Sequence, residues 1–146
     1  MRASGMLGLA LCALVLLAGC GASVALPDLF VARRFGTVPG ARVALLVNEG
    51  GAVHCARGPI DAGHLGVEHQ LSDPQLVLAR TLAEELQSSS AKHLVLAPRP
   101  GSVYHYYVRD AQGWVRFADN SAGQPAVLHR LAYFVLEVAQ KVCGLG

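Results

Sequence analysis

The chain has 146 residues, with 12 Lys and Arg against 10 Asp and Glu and a 53% hydrophobic composition. A balance this close to neutral leaves no basic stripe to follow a phosphate backbone, which excludes nucleic acid as an expected partner. The apolar excess gathers at the N-terminus, and without a second long apolar run it does not describe a chain that crosses a membrane repeatedly.

After Arg2, an apolar stretch of 13 residues runs from Met6 to Ala18. That length suits the core of a signal peptide but falls short of the about 20 residues that span a bilayer. Small Ala18 and Gly19 follow, and only small side chains fit beside the bond that a signal peptidase cuts. Leu17-Ala18-Gly19-Cys20, a branched apolar residue, two small residues and a cysteine, resembles the lipobox of bacterial lipoprotein precursors. The resemblance covers residues 2–20. It implies that residues 1–19 are a cleaved signal peptide and that the Cys20 thiol receives a diacylglyceryl group. The expected location is the bacterial cell membrane or outer membrane, lipid-anchored, on the extracytoplasmic side. Two acyl chains, at about 0.8 kcal/mol per buried methylene, are what stable anchoring takes.

Of the 4 cysteines, Cys12 leaves with the leader and Cys20 carries the lipid. Cys55 and Cys143 remain, and two thiols in an exported domain are read as a disulfide. The chain-entropy model gives a closed loop of this length about 4 to 5 kcal/mol. The dipeptide His54-Cys55 is too weak a signal to prefer a metal or redox thiol.

Residues 20–40 are expected to be anchor and tether, and 41–146 a single domain. Within the tether, Asp28 is positioned to cap a short helix ending at Gly36, with Leu29, Phe30 and Phe35 on one side and Arg33-Arg34 on the other. Such a segment lies on anionic headgroups or packs on the domain. Arg42–Val47 and Ala52–Ala56 are β-rich and flank Asn48-Glu49-Gly50-Gly51, whose glycines supply the positive φ of a tight hairpin. Arg57–Leu71 reads as a long loop. Ser72-Asp73-Pro74-Gln75 starts an amphipathic helix whose apolar positions are Leu76, Ala79, Leu82, Ala83 and Leu86, ending at the serine run 88–90. His93–Ala97 reads as a linking strand stopped by Pro98.

Ser102–Arg109 and Trp114–Asp119 form a second hairpin around Asp110-Ala111-Gln112-Gly113. Alternation places Tyr104, Tyr106 and Val108 on one face and Val103, His105 and Tyr107 on the other. Gln124-Pro125 opens a last helix reaching about Cys143, with a broad face of Val127, Leu128, Leu131, Phe134, Val135, Val138 and Val142. The expected fold is α+β: a small antiparallel sheet of two hairpins plus a linking strand, with two amphipathic helices on one face.

Motifs of known catalytic chemistry are missing: no G-x-S-x-G, P-loop, G-x-G-x-x-G or H-E-x-x-H occurs. His64 and His69 flank Glu68 at a spacing poor for one metal, and His93, His105 and His129 fall in separate elements. No catalytic residue, metal or cofactor is expected. Five of the nine aromatic residues fall in the second hairpin. Tyr107 and Trp114, with Arg109 and Arg116 nearby, are the residue types of recognition surfaces, because they combine large area with a polar tip. Cross-strand stabilisation of the hairpin accounts for them equally well.

Val47-Asn48-Glu49-Gly50-Gly51, a middle helix, Tyr104-x-Tyr106-x-Val108 with Gly113, and a closing helix after Pro125 resemble the emfourin-type inhibitors of thermolysin-like metallopeptidases. The resemblance covers about residues 42–142 and implies a shared order of elements. It carries over no inhibitory residue. The expected function is a lipid-anchored, non-catalytic binding or accessory lipoprotein of the bacterial cell envelope, with an envelope protein as partner. Inhibition of such a peptidase is the alternative, and an enzyme using the 57–71 loop ranks third.

Overall fold

The computed structural model of the protein describes residues 26–146. The expected signal peptide, the lipobox-like residues 17–20 and the expected anchor Cys20 lie outside the described residues. Six strands, β1 (Asp28–Gly36), β2 (Val43–Asn48), β3 (Ala52–Ala56), β4 (Val67–Gln70), β5 (Tyr104–Arg109) and β6 (Trp114–Ala118), form one sheet in the order β4-β3-β2-β1-β5-β6. Every neighbouring pair is antiparallel. Helix α1 (Asp73–Ala91) carries the chain from β4 across to β5, and α2 (Ala126–Lys141) closes it. The α+β class, the two hairpins and both helices are as the sequence predicts.

Residues 28–36 are not a helix in a tether. They are β1, inside the sheet between β2 and β5. The aspartate cap, arginine pair and terminal glycine are local helix signals, but an absent β1 would leave the inner edges of β2 and β5 unpaired. Pairing both ladders wins over a weak local preference. The same strand separates the two arginines: Phe30, Ala32 and Arg34 are buried, while Arg33 points to the other face and is exposed.

The 57–71 loop contains β4, a four-residue edge strand paired with β3. Glu68, His69 and Gln70 have little strand preference, and short polar strands are how sheets blunt an edge. Residues 93–97 do not form a full strand; a single parallel bridge, Val95 to Arg116, holds them beside β6. Arg116 donates to the Leu94 carbonyl and Leu96 donates to the Arg116 carbonyl, each at 2.9 Å. Pro98 and Pro100, which lack an N–H, stop the ladder there. In the first hairpin only Gly51 takes a positive φ, 86°, while the Asn48 side chain accepts from the amides of Gly50 and Ala52.

The core lies between the sheet and the two helices. Leu45, Val47, Val53, Val108 and Val115 from the sheet meet Leu82 and Leu86 of α1 and Leu128, Leu131 and Val135 of α2, all buried. Phe30 packs edge-on against Phe134 with ring centroids 6.1 Å apart. Each such side chain contributes roughly 1.5 to 3 kcal/mol on burial. The Cys55–Cys143 disulfide is present, with Cα atoms 6.0 Å apart, and ties β3 to the turn after α2.

Candidate functional site

Both helices pack on one face of the sheet, so the residues alternating with the core line the other. The strand register arranges them in rows. Ala56, Ala44, Arg33, Tyr107 and Arg116 lie side by side across β3, β2, β1, β5 and β6. His54, Leu46, Val31, Arg109 and Trp114 form the adjoining row. Phe35 and His105 begin a third, and their rings stack 5.6 Å apart.

The structure brings together three of the four residues singled out from the sequence. Tyr107 and Trp114 have ring centroids 6.1 Å apart. The Arg116 guanidinium sits over both, 5.4 Å from the Tyr107 ring and 5.1 Å from that of Trp114. At this range a cation is attracted to the negative face of each ring, worth about 0.5 to 1 kcal/mol at an exposed position. His93 also stacks on Trp114, 5.0 Å away and nearly parallel. Arg109 is opposite Trp114 in the ladder, exposed, and joins neither ring.

A groove of about 840 Å³ opens beside this cluster. Its floor is β1, β2, β5 and β6; Arg57–Pro59 and Val95–Pro98 stand at its two sides. Arg33, Arg42, Arg57 and Arg116 line it together with Phe35 and Tyr107, and no Asp or Glu does. Sequence reading missed Arg33, Phe35, Arg42 and Arg57, because they come from segments read as a tether helix, the start of a strand and a loop. The usable signal was the alternation Val31, Arg33, Phe35 within β1.

One end of the hairpin is fixed from below by Asp119. Its carboxylate accepts from the Ser102 hydroxyl at 2.9 Å and from the amides of Val103 and Tyr104. Partial desolvation is the largest single influence and raises its pKa, but the hydrogen bond from Ser102 and the backbone donors together outweigh it, leaving Asp119 below the usual carboxylate value. At the other end, Asp110 accepts from Gln112 and Gly113 and from the Ser90 hydroxyl of α1 at 2.6 Å. A Cβ at Gly113 would meet the Ser90 carbonyl oxygen at 2.3 Å, so only glycine allows this approach. On the core face, burial pushes the Tyr106 hydroxyl up to about 12.

His54 and Glu68 approach to 3.5 Å across β3 and β4. Among the described residues no three His, Cys, Asp or Glu side chains are close enough to hold a metal ion, and no described helix is long and apolar enough to cross a membrane. No protein-family model, curated protein or solved structure matches the chain.

Proposed function

We propose that the protein is a non-catalytic binding lipoprotein of the bacterial cell envelope, held to the membrane through Cys20 and presenting the uncovered sheet face to a partner protein. The observation that carries this is the cluster of Tyr107, Trp114 and Arg116 on a face that neither helix covers. Large planar side chains and arginine supply most binding energy at protein interfaces, because each buries a large area and carries a polar or charged tip. The cluster here is already ordered by its own contacts, so little conformational freedom is lost on docking. The leader motif supports the anchor, and two acyl chains hold the domain at the bilayer.

Two measurements test this. Cells given labelled palmitate incorporate it into the wild-type protein and not into Cys20→Ser; label in that variant sinks the anchor. Envelope extracts are then passed over the lipid-free domain, Tyr107→Ala/Trp114→Ala and Arg116→Gln. A partner retained by the wild type and lost by both variants, at unchanged Tm, supports the binding face. Retention by both assigns those residues to hairpin stability alone. Capture of a secreted thermolysin-like metallopeptidase, inhibited at one-to-one ratio, replaces this reading with that of a peptidase inhibitor.

A further inference from the structure

We infer that the arginine groove receives an extended acidic segment of a partner protein, roughly seven residues long, carrying apolar side chains between its carboxylates. This rests on the reading of the uncovered face as the binding surface and names the chemistry of what binds there. Arg33, Arg42, Arg57 and Arg116 all line the groove without an acidic residue beside them. Among the described residues none of the four makes a side-chain hydrogen bond or ion pair, whereas Arg130 on α2 pairs with Glu85 and Lys141 with Glu137. Guanidinium groups match carboxylates through two parallel hydrogen bonds, so the unengaged forks of Arg33, Arg42 and Arg57, with Arg116 held over its two rings beside them, define an anion-binding surface.

Shape and apolarity narrow the anion. The surface is concave, walled at both sides, and a bilayer does not enter such a space. From the end of β3 to the segment beside β6 is five inter-strand steps, roughly 24 Å, which an extended chain covers in about seven residues. Phe35 and Val95 remain 47% and 59% exposed at the groove, which suits apolar side chains. An acidic glycan would need free aromatic faces for its sugar rings. Arg116 lies over the rings of Tyr107 and Trp114, and His93 stacks on Trp114. The Tyr107 and Trp114 rings are already engaged by their neighbours, which favours a peptide over a sugar chain.

The test is fluorescence anisotropy of the domain with a labelled peptide of Glu-Leu-Ser repeats, its Gln-Leu-Ser counterpart, polygalacturonate and vesicles of phosphatidylglycerol. We expect the Glu peptide to bind at least tenfold tighter than the Gln peptide, and to weaken as salt rises. Arg42→Gln/Arg57→Gln, both exposed and distant from the aromatic cluster, lowers that affinity at least fivefold at unchanged Tm. Equal binding of the two peptides overturns the inference, as does full affinity in the double variant. So does binding of polygalacturonate or vesicles without the Glu peptide. A partner lost by Arg116→Gln but unaffected by Arg42→Gln/Arg57→Gln also overturns it, while leaving the uncovered face as the binding surface.

Discussion

His93 lies flat on Trp114, the two rings 5.0 Å apart and 8° from parallel. The histidine is the residue just past the C-cap of α1 and has a φ of 50°, the left-handed conformation that helix ends usually give to glycine. Its amide donates to the Ser90 carbonyl and that of Leu94 to Ser89, the paired bonds of a Schellman termination. A non-glycine residue there costs roughly 1 kcal/mol, and the stack returns about 0.5 to 1.5 kcal/mol. His93→Gly is therefore nearly neutral in urea denaturation, whereas His93→Ala, which keeps the cost and loses the stack, destabilises by about 1 kcal/mol. A His93→Gly protein well above wild-type stability would mean that the stack contributes nothing.

Arg33 and Arg34 are neighbours with opposite fates. Arg34 is 5% exposed; its Nε donates to the Ala41 carbonyl, one Nη to that of Gly40, and the guanidinium lies 4.9 Å from the Tyr104 ring centre. Arg34→Ala should cost about 2 to 4 kcal/mol, from lost packing and unsatisfied carbonyls. Arg34→Met, which keeps the aliphatic stem, costs less. Arg33→Ala stays within roughly 0.5 kcal/mol. Thermal unfolding of the three proteins distinguishes them, and an equal loss for Arg33→Ala and Arg34→Ala would refute the alternation.

The disulfide closes a separation of 88 residues. Cys55→Ser/Cys143→Ser should lose about 4 kcal/mol by the chain-entropy account, and thus more than about 10 °C in Tm for a domain of this size. Intact mass after alkylation checks the pairing directly: the folded, unreduced domain takes no label on either thiol.

Asp119 supplies a pH dependence. Its native pKa is lowered, so between the native and unfolded values the unfolded chain binds the extra proton. The stabilisation is complete above the ordinary carboxylate value near pH 4 and is lost as pH falls through the native one. Asp119→Asn cannot lose that term. The gap in Tm between wild type and variant should narrow from pH 6 to pH 2, and a gap constant over that range would contradict the assignment.

Periodicity and turn chemistry made β2–β3, β5–β6, α1 and α2 legible, because each is specified by neighbours within a few residues. With Cys12 and Cys20 set aside in the leader reading, Cys55 and Cys143 left one pairing, which the folded chain makes. β1 was not legible: its pattern serves a helix or a strand, and the decision comes from β2 and β5, which begin 7 and 68 residues after its end. β4 is polar and short, and exists because β3 offers an edge. The hairpin cluster of Tyr107, Trp114 and Arg116 could be read from two adjacent strands. The groove could not, since Arg33, Arg42, Arg57 and Val95 meet only through the register of the sheet and the docking of residues 93–97.

β1 opens the described chain and runs through the middle of the sheet, antiparallel to both neighbours. Tension applied through the residues before Asp28 is therefore directed along its axis. Two ladders share that load in shear, and their hydrogen bonds must yield together instead of being peeled one at a time. Resistance to pulling is a matter of unfolding rate, and this geometry slows it. The covalent loop begins only at Cys55, so β1 lies outside it. A pull strong enough to draw β1 out would leave β3 still fastened to the end of α2, with a vacant slot between β2 and β5 into which the strand can return.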